Sequence, residues 1–158
     1  MAFQNVRQAL QTARKKLSRR ALHWRMRGQP EADILVAERK LRGVEQFDKL
    51  RRADVVVVSF GKSGRTWLRV MISHLFRVMY KFPENAVLGF DNFHNLNREV
   101  PKTFFTHDNY IKDFTGDFDT KAPFYDKRVI LLARDPRDVA VSQFFQWKFR
   151  VKSTKIAI

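Results

Sequence analysis

The sequence has no cysteine, and its 16 acidic residues are far outnumbered by 31 lysines and arginines. The absence of cysteine excludes a disulfide framework, a thiolate metal site and a cysteine nucleophile. No apolar run approaches the ~20 residues that a membrane-spanning helix needs, and the N-terminus does not read as a cleavable secretory signal. Internal repeats and low-complexity tracts are also missing. These absences favour a soluble or surface-bound protein, most simply a cytoplasmic one.

The residues that are present are sufficient for a folded domain. The chain has 158 residues, of which 44% are apolar and 13% aromatic. A chain of this length can bury roughly 70% of the surface that it exposes when unfolded. The composition therefore argues against wholesale disorder and predicts one domain of ordinary size.

The net charge of +15 indicates an anionic partner or surface. Its distribution is uneven, because residues 1–30 hold eight basic side chains and no acidic one. Residues 53–158 hold 17 basic and 11 acidic side chains and are only mildly basic. Much of the charge thus belongs to an N-terminal arm, which we place at residues 1–52.

The arm is predicted to be helical. Apolar residues recur there at steps of three and four positions, the spacing of one helix face: Phe3, Val6, Leu10, Ala13, Leu17, Ala21 and Trp24. The stretch 28–30, Gly-Gln-Pro, ends this helix, and a second one is expected over 31–51. Its predicted buried side consists of Ile34, Leu35, Leu41, Val44 and Phe47.

Three interpretations of the basic arm remain open. Residues 1–30 could pack on their own domain with solvated arginines, lie on an anionic membrane, or bind nucleic acid. The last is disfavoured, because the globular part shows no basic residues interleaved with exposed aromatics. An arginine-rich, acid-poor N-terminus also resembles an organellar transit peptide.

The remainder of the chain alternates strands and helices. Residues 54–60 form a continuous β-branched run typical of a strand buried on both faces, and 103–106 and 128–133 are further strands. Helices are predicted over 66–80 and from Pro136 to about Arg150, while 84–100 and 108–127 are expected to be loops. The alternation predicts a three-layer α/β/α fold with a parallel central sheet and a nucleotide-binding topology like that of P-loop proteins.

A candidate anion site follows the first strand. The strand enters a glycine-containing turn, Gly61 to Gly64, and a helix begins directly afterwards. Backbone N–H groups and the positive helix end then converge on one point, which suits a phosphate or sulfate group. Lys62 adds a charge, and Ser63 and Thr66 add hydroxyl donors. A purely structural strand–helix turn with an exposed lysine is the alternative.

A Walker A loop is the other alternative, and its spacing is absent. That loop needs a glycine five positions before the Gly-Lys-Ser/Thr triplet. The residue five positions before Gly61 is Val56, in the middle of the strand. A nucleoside triphosphatase is therefore disfavoured.

The stretch Phe60-Gly-Lys-Ser-Gly-Arg-Thr-Trp67 resembles the 5′-phosphosulfate-binding loop of the sulfotransferase family, usually Pro-Lys-Ser-Gly-Thr-Thr-Trp. Gly61 replaces the usual proline and Arg65 the first threonine. The resemblance implies the sulfuryl donor 3′-phosphoadenosine 5′-phosphosulfate. It implies donor contacts from the loop and from Trp67 against the adenine: Lys62, Ser63, Gly64, Arg65, Thr66 and Trp67.

A second segment, Arg134-Asp-Pro-Arg-Asp-Val-Ala-Val-Ser142, is similar to the family's 3′-phosphate-binding segment. It follows the third strand, at the carboxyl end where open α/β sheets bind ligands. Arg134 and Ser142 are the implied phosphate contacts, whereas Arg137 aligns with a variable basic position. Alternatively, Asp135 and Asp138 only cap the helix and pair with Arg134.

The resemblance also implies a proton acceptor. His107 directly follows the second strand and matches the family's catalytic histidine, which removes the proton of the acceptor hydroxyl. A histidine bonded to a backbone carbonyl at a strand end is the plainer interpretation. Asp108 could orient His107 or be an exposed loop aspartate.

By this resemblance the chain is a sulfotransferase that transfers the sulfuryl group in line to a hydroxyl or amine, without a metal. Lys62, His107 and Ser142 are the implied catalytic residues, and the acceptor is a small molecule, lipid or glycan. The resemblance covers roughly residues 54–150. The family's later Arg-Lys-Gly…Gly-Asp-Trp-Lys segment has no counterpart, so 53–158 is expected to be the N-terminal portion of a sulfotransferase domain with a sheet flank uncovered. The other possibilities are a kinase with a P-loop-like site and an inactive fragment that binds anionic surfaces.

Overall fold

A computed structural model describes the backbone of residues 2–150 and the side chains of residues 13–150. Along the described chain the elements are α1 (Ala2–Arg25), α2 (Glu31–Arg52), β1 (Val55–Ser59), α3 (Arg65–Tyr80), α4 (Asn92–Leu96), β2 (Thr103–Thr106), α5 (Asn109–Thr115), a 3-10 helix (Ala122–Phe124), β3 (Arg128–Leu132) and α6 (Pro136–Arg150). The three predicted strands and four predicted helices are confirmed to within one or two residues. Within residues 2–150, no helix has both the length and the apolar character needed to cross a membrane.

The two predicted loops are wrong in part, since each contains a short helix. Residues 84–100 include α4, and residues 108–127 include α5 and the 3-10 helix. Both α-helices are shorter than two and a half turns, and isolated helices of that length are marginal in water. Tertiary packing therefore decides their conformation, and the local composition gave no signal of it.

The sheet is parallel, with the strand order β2-β1-β3. Val55 of β1 pairs with Thr103 on one side and with Arg128 on the other, so the carboxyl ends of the three strands meet at one edge. Val56 and Val57, which point to opposite faces of the sheet, are both fully buried. The central strand is thus covered on both faces, as its β-branched sequence predicts.

Strand β3 is much less covered than β1. Its neighbouring residues Ile130 and Leu131, which point to opposite faces, are 45% and 74% exposed. The predicted open flank of the sheet is therefore present at β3, at least among residues 13–150.

The described chain divides into two compact units. One combines the N-terminal helices, up to Arg52, with Asp108–Pro123, and the other combines Ala53–His107 with the chain from Phe124 onward. In the second unit, a buried cluster of Leu88, Phe93 and Val100 packs against partly buried side chains of α3 and the following loop. Ser73 of α3 accepts a hydrogen bond from the Leu88 amide at 2.9 Å, which ties this loop to the helix.

The helical unit is organised by the contact between α2 and α5. Gly43 is buried, and a Cβ there would collide with the Tyr110 carbonyl oxygen and the Phe114 Cβ. The Phe47 and Phe114 rings pack with centroids 5.5 Å apart. Arg39 donates to the Asp113 carboxylate at 2.8 Å.

The predicted buried side of α2 is accordingly corrected. Leu35 and Val44 are exposed at 57% and 47%, whereas Gly43 and Leu50 are the buried residues of this helix. The close approach of α5 requires a residue without a side chain at position 43. The prediction relied on the spacing of apolar side chains, so it could not detect a glycine. The side facing α5 is therefore set by Gly43 and Phe47, together with Arg39.

Candidate functional site

The turn between β1 and α3 has an unusual backbone. Lys62 and Gly64 both have positive φ, 65° and 92° respectively. Glycine adopts this left-handed region freely, but a lysine there costs of order 1–3 kcal/mol and is held by its surroundings. Strained non-glycine residues of this kind cluster at functional sites, and Lys62 is the residue that the sequence assigns to an anion.

Two polar features of the same turn lack partners among the side chains of residues 13–150. The Ser63 side chain is only 7% exposed, and its hydroxyl has no hydrogen-bond partner within that part of the chain. Helix α3 begins at Arg65, and its N-cap residue Gly64 has no side chain that could cap the first amides. An unpartnered buried hydroxyl and uncapped helix amides are the donors that a bound phosphate or sulfate would satisfy.

The side chain of Lys62 is held by helix α6. Its Nζ donates to the Gln146 Oε1 at 2.6 Å. Lys62 and Gln146 line a cleft of about 350 Å³ that also contains Ser142, one turn earlier on α6. The structure therefore brings Ser142 to the same cleft as Lys62, which the sequence could only propose.

Arg134 lies next to the turn. Its Nη1 donates to the backbone carbonyl of Lys62 at 3.2 Å. The two segments singled out in the sequence, 72 positions apart, thus adjoin at one edge of the sheet. Arg134 also lies 3.6 Å from Asp138, in an exposed pair of the kind that contributes little to stability.

Arg137 is occupied by a neighbour. It makes two hydrogen bonds from its guanidinium to the Asp135 carboxylate, at 3.1 and 2.8 Å, and its amide donates to the same group. These bonds lower the pKa of Asp135 and raise the pKa of Arg137. Asp135 acts as the N-cap of α6 and Arg134 pairs with Asp138, as the helix-capping interpretation predicts. Arg134 also donates to the Lys62 carbonyl of the turn.

His107 lies at the same edge, after β2. Its Nδ1 is 2.5 Å from the Ser59 carbonyl oxygen. A carbonyl only accepts, so Nδ1 carries the hydrogen, and the neutral ring then has an unprotonated Nε2. The plainer interpretation of a histidine bonded to a backbone carbonyl is therefore correct as geometry, and this bond does not involve Nε2.

Asp108 is not an exposed loop aspartate. It is 7% exposed, and its Oδ2 accepts from Lys121 Nζ at 2.9 Å and lies 3.9 Å from Lys112 Nζ. The hydrogen bond to Asp108 raises the pKa of Lys121. Within the described side chains, no cluster of three or more histidine, aspartate or glutamate residues is placed to hold a metal ion.

The first turn of α3 presents the remaining predicted donor contacts. Thr66 is exposed, and Trp67 is 75% exposed, so Trp67 is not a core residue. Arg65 is partly buried, and this burial lowers its pKa. The positive charge of the nearby Arg69 lowers the pKa further. No ion pair of residues 13–150 involves Arg65 or Arg69, and the Arg69 guanidinium lies over the Phe105 ring, 4.8 Å from its centroid.

Gln146 is the site residue that the sequence interpretation missed. It lies four residues after Ser142, which places the two side chains on one helix face. That spacing was the only available signal, and an amide four positions from a serine is common in any helix. The contact with Lys62 depends on how α6 packs against the turn.

Comparisons with known proteins agree on one family. The family model described as "Sulfotransferase domain" matches residues 52–155, more than half of the chain. Sulfotransferase 6B1 of Homo sapiens is 26% identical over 129 residues, covering 77% of this chain and 41% of that protein. Sulfotransferase 6B1 of Pan troglodytes is 26% identical over 131 residues, covering 78% and 41%. The chain thus spans less than half the length of these relatives, and no solved structure matches it significantly.

Proposed function

The chain belongs to the sulfotransferase family, and from that premise we propose that it transfers a sulfuryl group from 3′-phosphoadenosine 5′-phosphosulfate to an acceptor hydroxyl or amine. The observation that carries the proposal is the hydrogen bond from Arg134 to the Lys62 carbonyl at 3.2 Å. It places two cationic segments side by side at the carboxyl edge of the sheet. One small molecule with an anionic group at each end can then contact both.

The donor's 5′-phosphosulfate is assigned to the turn after β1. The unpartnered Ser63 hydroxyl and the uncapped amides of α3 supply neutral donors, and Lys62 supplies the charge. Gly64, Arg65 and Thr66 complete this group, and the exposed Trp67 is assigned to the adenine. The fit rests on donors that have no partner within the described protein.

The donor's 3′-phosphate is assigned to Arg134 and Ser142. A guanidinium can bind a phosphate through two parallel hydrogen bonds, and a serine hydroxyl can donate to another oxygen. Arg137 is assigned no such role, because its guanidinium makes two hydrogen bonds to Asp135. The proposal thus distinguishes two arginines three positions apart.

The chemical step needs a base and a group that stabilises the leaving oxygen. His107 accepts the acceptor's proton on Nε2 while Nδ1–H stays bonded to the Ser59 carbonyl. The acceptor oxygen or nitrogen bonds to sulfur as the bond from sulfur to the phosphate oxygen breaks. Adenosine 3′,5′-bisphosphate leaves, and the Lys62 ammonium stabilises the negative charge that develops on its oxygen.

Calorimetry with the 158-residue chain tests the donor assignment. We expect adenosine 3′,5′-bisphosphate to bind more tightly than ATP, and Arg134→Ala and Ser63→Ala to weaken that binding. Tighter ATP binding would favour the kinase alternative, and a chain that binds neither nucleotide while remaining folded would overturn the proposal. A screen of small-molecule, lipid and glycan hydroxyls with labelled donor would then define the acceptor.

A further inference from the structure

Helix α1 has two faces with different surroundings. One face contacts α2 within the helical unit through ion pairs. Lys15 and Arg19 lie 3.6 and 3.8 Å from the Glu45 carboxylate, and the His23 ring nitrogen lies 2.6 Å from Glu38. The acidic residues of α2 therefore pair with the basic residues on this face.

The apolar stripe of α1 lies on the other face. Ala13, Leu17, Ala21 and Trp24 follow one another at steps of four, four and three residues, and we call them the α1 stripe. All four are exposed, Leu17 at 64% and Trp24 at 76%. Within the helical unit, α2 therefore does not cover this periodic face along the described part of α1. A stripe of this spacing is normally buried, so its exposure here marks a candidate docking surface.

Cations flank the stripe on both sides. At 3.6 residues per turn, Arg14 and Arg25 lie along one edge of the stripe and Arg20 lies along the other, while Arg27 lies in the turn that follows α1. All four are exposed, and none takes part in an ion pair among residues 13–150. The first 30 residues contain no acidic side chain that could neutralise them.

We propose that the α1 stripe docks on an anionic lipid surface. Leucine and tryptophan side chains enter the boundary between headgroups and acyl chains, while arginines on both flanks bind lipid phosphates. A nucleic acid would bind the arginines but would leave the apolar α1 stripe in water. A lipid surface accounts for both the arginines and the apolar side chains. The proposal is independent of sulfuryl transfer, because it uses residues of α1 alone.

Vesicle co-sedimentation of the whole 158-residue chain tests the docking. We expect binding to phosphatidylserine–phosphatidylcholine vesicles, little binding to phosphatidylcholine alone, and release as salt is raised. In a Trp67→Phe/Trp147→Phe background, Trp24 is the remaining one of the chain's three tryptophans. Its fluorescence should shift to shorter wavelength and be quenched by brominated lipid.

Substitutions then distinguish vesicle binding through the α1 stripe from nonspecific hydrophobic binding. Leu17→Ala/Trp24→Ala should weaken vesicle binding at least about tenfold, and each of Arg20→Gln and Arg25→Gln about fivefold. Leu35→Ala/Val36→Ala is the matched control, because these α2 residues are 57% and 52% exposed but lie outside α1. Circular dichroism checks that each variant keeps its helices.

Three results would overturn the proposal. One is vesicle binding that lacks the expected dependence, either on anionic lipid or on Leu17 and Trp24. Another is a chain that binds duplex or single-stranded nucleic acid but does not bind vesicles. The third is a dimer that dissociates on Leu17→Ala/Trp24→Ala without any lipid binding, which would make a second copy the occupant of the stripe.

Discussion

The Lys62 ammonium donates a hydrogen bond to the Gln146 side-chain oxygen at 2.6 Å, across 84 positions of sequence. An amide is neutral, so it orients the ammonium and leaves its positive charge available to an anion. A carboxylate at the same place would instead pair with Lys62 and repel the donor. The identity of residue 146 is therefore expected to control how strongly the turn attracts an anionic ligand.

Replacing Gln146 by glutamate is expected to weaken adenosine 3′,5′-bisphosphate binding about tenfold, as measured by calorimetry. Gln143→Glu is the matched control, because it adds the same charge to α6 outside the residues that line the cleft. Gln146→Ala should change the affinity much less and should raise the rate at which an acylating reagent modifies Lys62, followed by peptide mass spectrometry. Equal losses at positions 143 and 146 would show that net charge alone is responsible.

The two arginines at the start of α6 are expected to differ in function. Arg134→Ala should weaken bisphosphate binding about 10- to 100-fold, since it removes a charge-assisted contact and the bond to the Lys62 carbonyl. Arg137→Ala should change binding little, because Asp135 already holds that side chain. Calorimetry of both variants decides the point, and a larger loss at Arg137 would contradict the assignment.

His107→Asn is expected to lower the rate of sulfuryl transfer on the order of 100- to 10,000-fold, the range for loss of a general base. Binding of adenosine 3′,5′-bisphosphate should persist, because the proposed donor contacts lie elsewhere. His94→Asn is the control, since His94 also bonds a backbone carbonyl, that of Val100 at 2.9 Å. Transfer assays with labelled donor, beside calorimetry, make the comparison. A rate loss equal to that of the control would assign His107 a structural role.

The helical unit should lose stability in acid through Glu38. A hydrogen bond from His23, aided by Arg42, lowers the pKa of Glu38. A lowered carboxyl pKa contributes stability above the unfolded value, and this contribution is lost as pH falls through the lowered folded value. Thermal unfolding from neutral pH to about pH 3 should therefore show a steeper acid loss in the wild type than in Glu38→Gln. Glu84→Gln, at an exposed position, should keep the wild-type slope, and a Glu38→Gln curve of unchanged slope would contradict this prediction.

Gly43→Ala is expected to destabilise the helical unit by about 1–3 kcal/mol, although alanine is the better helix former. The added methyl would meet the Tyr110 carbonyl and Phe114, so α5 must move away from α2. Gly61→Ala is the matched control, because a Cβ there meets nothing within 4 Å. Urea unfolding of the two variants measures the difference. Equal stabilities would mean that α5 is free to shift.

The sequence alone determined the central strand, the turn after it and the start of α6, since each is encoded within a few adjacent residues. A β-branched run disfavours other conformations, Gly64 permits a positive φ, and Pro136 fixes the first helical residue. The candidate positions Lys62, Arg134 and His107 could be found in the same way. Each follows a strand, and the carboxyl ends of parallel strands share one edge.

Only the tertiary structure decided which side chains meet. Gln146 contacts Lys62, α5 forms against Gly43, and the α1 stripe is left in solvent, because packing between segments distant in the chain sets each of these outcomes. Periodicity identifies an apolar face but cannot state whether protein, lipid or water will lie against it. The reason is physical: hydrophobic burial is non-directional, so it selects a partner only once the backbone has placed one within reach.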